Sequence, residues 1–202
     1  MKVFVIDTEY LTWNTIYSKR SPLFRKKEEP PEIIQIFVKQ IFIKKKNEKL
    51  IYIKPVNYKF YPHRITKLTS IKKRYLDNYG IKFKDAYKIL IRFFPSNSLI
   101  ICNGDEAQII DINLHINKIK KKRKKLFFIN FYQIIKNREI FKKFKKKNFI
   151  RNSEIKKTLK IKNVKSHDAR NDVKILIKCL DKINFKKKEI YKYLNYFKRY
   201  YF

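Results

Sequence analysis

Glycine is nearly missing from this sequence, with two in 202 residues, and acidic side chains are scarce, 17 against 52 lysines and arginines. The resulting formal net charge of +35 sets up a field that attracts polyanions, nucleic acid foremost. A duller cause competes with that reading. Lys, Ile, Asn, Tyr and Phe abound while Gly and Ala are few, and A/T-rich codons favour this composition. The charge is therefore compatible with a nucleic-acid partner without identifying one, and an anionic membrane surface would attract it too. Long apolar runs are also missing. None approaches the ~20 residues that a membrane span needs, and the opening MKVFVIDTEY is interrupted at Asp7, which argues against a signal peptide. The expectation is a cytoplasmic protein with no stable membrane association. Cysteine is limited to Cys102 and Cys179, both in apolar stretches without metal-ligand spacing, as expected of buried, reduced thiols. What is present suffices for a core: a hydrophobic fraction of 44% is ordinary for a globular chain of this length.

The segments read as an α/β domain. VFVID (residues 3–7) is a first strand, placed centrally by its β-branched and aromatic run. Residues 11–31 are polar and basic, closed by Pro30 and Pro31, and read as a long loop. Residues 32–43 form a long strand with a partner at 49–55 across the KKKNE turn, most economically a hairpin. Residues 62–71 read as a short helix or loop. After Gly80, Phe83, Ala86, Tyr87, Leu90, Ile91 and Phe94 recur at helical spacing, and Pro95 ends that helix. SLIICNGD (98–105) is another buried strand ending in an acid, followed by a helix with Ile109, Ile112, Ile116 and Ile119 on one face. LFFIN starts a further strand, 136–150 is basic helix or loop, and His167 opens a final strong helix. The expected organisation is a mixed-sheet domain over residues 1–183 and a basic, aromatic tail over 184–202. In that tail Ile190, Leu194, Phe197 and Tyr201 fit one helix face. A helix packed on the domain is favoured there over a single-strand stacking platform.

Five residues carry the chemistry. Asp7 and Glu9 are two apart on an extended strand, so both side chains share a face. Adjacent carboxylates repel unless cations neutralise them, and hard divalent ions such as Mg²⁺ or Mn²⁺ suit oxygen ligands. Asp105 ends a second apolar strand; if that strand is parallel to the first, both acids reach one sheet edge. His167 and Asp172 follow at a five-residue spacing. Taken singly, each has a bland reading: a solvated turn for Asp-x-Glu, a helix N-cap for Asp105, a solvent-facing His167. Together, in order and each at the end of an element, they point to metal-assisted phosphodiester chemistry.

These motifs resemble the DEDDh (DnaQ-like) 3′–5′ exonucleases of the RNase H-like fold, over about residues 3–180. DTE, NGD and HDARND correspond to the three motifs, with EIIQI, IKP and KLTSI as weaker landmarks. The look is closest to the Eri-like exonucleases and their bacterial relatives. The resemblance implies a mixed five-stranded sheet flanked by helices, and two Mg²⁺ or Mn²⁺ ions held by Asp7, Glu9, Asp105 and Asp172. It also implies His167 as general base and removal of nucleoside 5′-monophosphates from the 3′ end of single-stranded RNA or DNA. Tyr10 and Trp13 follow the first motif, where relatives contact the terminal nucleotide; covering the edge of the core is an equal reading for both. Phe37 and Ser70 stand where relatives carry glycine, and the lysine-rich 118–148 region matches loosely. The alternative is a nucleic-acid-binding or polymerase-associated editing module with little independent catalysis, against which retention of all five residues argues.

Overall fold

The computed structural model describes residues 1–11, 30–56, 61, 63–122, 124–144, 150–162 and 167–201. Its elements in chain order begin with β1 (Val3–Leu11), β2 (Glu32–Ile41), β3 (Glu48–Tyr52), α1 (His63–Thr69), α2 (Lys73–Tyr79) and α3 (Phe83–Phe93). They continue with β4 (Ser98–Cys102), α4 (Glu106–Ile116), β5 (Lys125–Asn130), α5 (Phe131–Ile135), α6 (Asn152–Thr158), α7 (Ala169–Lys182) and β6 (Lys198–Tyr201). Two 3₁₀ segments, Glu139–Phe144 and Lys187–Tyr196, also lie among the described residues.

The strands form one mixed sheet in the order β3-β2-β1-β4-β5-β6. β1, β2 and β3 are antiparallel, β1, β4 and β5 are parallel, and β6 returns antiparallel on β5. The period-two alternation of β1 assigns its two faces. Val3 and Val5 pack with Ala169, Val173 and Leu176 of α7, whereas Phe4 and Ile6 pack with Ala86 and Leu90 of α3 and Ile109 of α4. Covered on both faces, β1 is buried almost throughout, and each such Val, Ile or Phe contributes about 1.5–3 kcal/mol.

Two expectations need correction. The sheet has six strands, not five, because the tail expected as one helix divides into a 3₁₀ segment and β6. Burial of Tyr200 against Phe128, ring centroids 5.3 Å apart, and pairing along the free edge of β5 outweigh a weak helical stripe. The buried face of α4 is also rotated from the isoleucine stripe: Ile110, Asn113 and Leu114 are buried with Ile109. Asn113 sets that rotation. Its Oδ1 accepts from Ile33 N at 3.0 Å and its Nδ2 donates to Pro31 O at 2.9 Å, tying α4 to the start of β2. No helix among the described residues is long and apolar enough to cross a membrane.

One of the two glycines has a packing reason. A Cβ on Gly80 would lie 2.5 Å from Leu76 O and 2.9 Å from Lys54 N, where α2 meets the chain leaving β3.

Candidate metal and catalytic site

β1 runs far enough beyond its pairing with β4 to carry Asp7 and Glu9 past the end of that strand. Both lie on the α7 side, the face of Val3 and Val5. The N-terminus of α7 crosses there and supplies Asp172. Carboxylate oxygens of Asp7, Glu9 and Asp172 all fall within 4.8 Å of one another, and Asp7 and Asp172 are only 8% and 6% exposed.

This crowding raises the cost of ionisation. Burial pushes the Asp7 carboxyl well above the usual carboxylate range, and the charges of Glu106, Asp172, Glu9 and Asp168 push it further. Burial, then Asp172 and Asp168, pushes Glu9 up to about 8. Asp172 is raised by burial, partly countered by the hydrogen bond that His167 N donates to its Oδ2 at 3.2 Å. None of the ion pairs among the described residues engages these acids. Asp172 Oδ1 is buried without a hydrogen-bond partner. Hard oxygen donors, mutual repulsion and an orphaned carboxylate oxygen fit divalent cations.

His167 lies just before α7, exposed, with φ 64°. This left-handed conformation is one that His tolerates better than most side chains. Asp168 caps the helix by accepting from Asn171 N at 3.1 Å. Gln35, fully buried on β2 opposite Glu9, holds this turn in place. Its Oε1 accepts from Ala169 N at 2.9 Å and its Nε2 donates to Asp168 Oδ2 at 3.4 Å. Gln35 is a positioning residue whose role the EIIQI landmark did not reveal; a glutamine within that apolar run was the available signal. Gln35→Ala should cost about 1–3 kcal/mol by stranding buried polar groups and weaken Mn²⁺ binding about tenfold. Denaturant unfolding with a Mn²⁺ titration checks this, and unchanged metal affinity would contradict the positioning role.

Asp105 does not join the cluster. It is exposed at the N-cap of α4, makes no side-chain cap bond, and lines a different cavity of about 440 Å³ with Gln133, Asn195 and Tyr200. The buried acid at this point is its neighbour Glu106, 6% exposed. Tyr10 is half-buried and packs on the core cluster of Phe4, Ile6 and Ile33, following a register irregularity after Glu9; this is the core-edge position. Trp13 lies outside the described residues.

A groove of about 490 Å³ adjoins the cluster through Asp168. Tyr52, Ser70, Lys72, Arg74 and Tyr75 line it. Tyr75 stacks edgewise on Tyr52 at 4.8 Å and tilts against Tyr79 at 4.9 Å. Ser70, at the position where relatives carry glycine, adopts φ 63°, the left-handed region that glycine enters freely.

The exonuclease family model of RNase T type matches residues 4–180. The chain belongs to this exonuclease family. Its mixed α/β sheet is the RNase H-like fold of the DEDDh enzymes, and solved structures agree with that fold. The nuclease domain of 3′hExo, a DEDDh family member bound to rAMP, superposes with TM-score 0.67 at 16% identity, covering 91% of each chain. Cell-death related nuclease 4 gives 0.68 at 16% identity, over 91% of this chain and 63% of its own. E. coli exonuclease I in complex with a dT13 oligonucleotide gives 0.66 at 13% identity, over 96% of this chain and 43% of its own. The chain thus spans under two thirds of the latter two proteins. No curated protein sequence matches it.

Proposed function

We propose that this exonuclease removes nucleoside 5′-monophosphates from the 3′ end of single-stranded RNA or DNA. The observation that carries the reading is the convergence of Asp7, Glu9 and Asp172 within 4.8 Å, beside an exposed histidine at the start of α7. These three acids would hold two divalent cations, Mg²⁺ or Mn²⁺. When bound, such ions acidify an attacking water and neutralise charge developing on the phosphodiester. His167, anchored through its backbone amide to Asp172, takes the proton from that water; imidazole suits the task near neutral pH. Gln35 and Asp168 hold the turn, so the imidazole and Asp172 stay in register.

The groove beside Asp168 receives the nucleotides preceding the terminal one. Lys72 and Arg74 supply phosphate contacts and Tyr52 and Tyr75 aromatic faces. Each stacked base adds about 1–3 kcal/mol with little sequence preference. The solved neighbours bound to rAMP and to dT13 support a nucleic-acid ligand here.

The test uses end-labelled single-stranded RNA, single-stranded DNA and duplexes with recessed 3′ ends, with Mg²⁺ or Mn²⁺. The expected result is stepwise 3′ shortening with monophosphate release. His167→Ala should slow it about 10²–10⁴-fold while keeping the thermal shift induced by Mn²⁺. Internal cutting, shortening from the 5′ end, or release insensitive to His167→Ala would overturn the proposal. Tight oligonucleotide binding with no cleavage in any metal would instead favour a binding or editing module.

A further inference from the structure

We propose that Glu106, not Asp105, is the fourth carboxylate of the metal site. This rests on the reading above, in which Asp7, Glu9 and Asp172 hold divalent cations. Asp105 and Glu106 sit side by side where β4 gives way to α4, and successive positions around a helix are about 100° apart. Only one of the two can face the end of β1. Asp105 is the exposed one, directed to the cavity that the tail forms with Gln133 and Tyr200. Glu106 is 94% buried, being 6% exposed, and its Oε2 has no hydrogen-bond partner.

Burial, the larger effect, pushes its carboxyl up to about 7, and hydrogen bonds from its own backbone, the Cys102 thiol and Gly104 offset this only in part. None of the ion pairs among the described residues involves Glu106. The Cys102 thiol beside it, a weak donor, lies 3.6 Å from the Gly104 and Ile129 carbonyl oxygens and also contacts the Glu106 carboxyl, too weakly to neutralise a buried charge. The carboxylate lies against Gly104, where a Cβ would make only ordinary contact with Glu106 Oε1 at 3.4 Å and Oε2 at 3.5 Å. Among the neighbouring charges that push Asp7 upward, Glu106 acts more strongly than Asp172 or Glu9. A buried acid with an orphaned oxygen beside another buried acid is unfavourable unless protonated or metal-bound. The extra methylene of glutamate lets the first helical residue reach back toward β1, as the shorter Asp105 at the N-cap does not.

The experiment compares wild type with Asp7→Asn, Asp105→Asn, Glu106→Gln and Glu106→Asp. Mn²⁺ binding is followed by calorimetry and by thermal shift, and far-UV circular dichroism confirms folding. Glu106→Gln should weaken Mn²⁺ binding at least about tenfold, and shrink the Mn²⁺-induced shift while raising the melting temperature in chelator. Glu106→Asp keeps the charge, shortens the reach and should also weaken binding; it carries the test if the glutamine variant misfolds. Asp105→Asn should bind Mn²⁺ within about twofold of wild type, the scatter expected of surface changes. The reverse pattern, with Asp105→Asn losing Mn²⁺ and both Glu106 variants keeping it, overturns the assignment and leaves the metal site standing. Wild-type Mn²⁺ binding by Asp7→Asn would remove the metal site itself and the assignment with it.

Discussion

Asp7→Asn is expected to reduce monophosphate release about 10³-fold or more while making the metal-free protein more stable, not less. The activity loss follows from the position of Asp7, central to the acidic cluster and 8% exposed. Removing one charge there should disturb every cation the cluster holds, and electrostatic groups at a reacting phosphate are each worth several kcal/mol. The gain in stability follows from the same burial. Desolvation and four neighbouring carboxylates push the Asp7 carboxyl far upward, so its charge opposes folding when no cation is present. A near-isosteric amide removes that repulsion without opening a cavity. Steady-state release from a labelled oligonucleotide and melting in chelator measure the two effects. A lower melting temperature with retained activity would mean that Asp7 holds the fold together instead of serving the site.

The second large effect is on pH. In the folded, metal-free protein Glu9 titrates at about 8, whereas an unfolded glutamate titrates near ~4.3. Between those values the folded state keeps a proton that the unfolded state has lost. Stability in chelator is therefore greatest near the acid end of this window and declines as pH rises through the folded pKa. The upward shifts of Asp7 and Asp172 act in the same direction. Melting in chelator should fall by about 5 °C or more from pH 5 to pH 8.5, given ~2–4 °C per kcal/mol for a chain of this size. Divalent ions bind the deprotonated acids, so Mg²⁺ or Mn²⁺ should stabilise most at the alkaline end. Binding at pH 7 should release protons. Melting curves across that range, with and without Mn²⁺, and calorimetry in two buffers of different ionisation enthalpy report both quantities. A flat profile in chelator, or binding without proton release, would contradict the crowding of these acids.

Much of the scaffold was legible because its signals are local. The β-branched and aromatic run of β1, the long apolar run of β2 and the short one of β4 are strand patterns whatever their neighbours. The stripe of Phe83, Ala86, Tyr87, Leu90 and Ile91 is buried on α3 as its spacing requires. Asp7 and Glu9 share a face because a strand repeats every two residues.

Other features depended on partners distant in the chain. Gln35 looks like an interruption of a strand until α7, more than 130 residues later, presents Ala169 N and Asp168 to it. The last strand forms because β5 offers an unpaired edge and Phe128 a surface for Tyr200; the aromatic and lysine pattern of the tail is nearly as compatible with a helix. The sequence by itself determined the fold class, the exonuclease motifs and the carboxylate pair on the first strand, because those follow from backbone periodicity and side-chain chemistry. Only the tertiary structure decided that Asp172 meets that pair and that Glu106 is buried while Asp105 faces solvent. A turn of about 100° at the start of one helix separates those outcomes, and it is set by packing across the sheet.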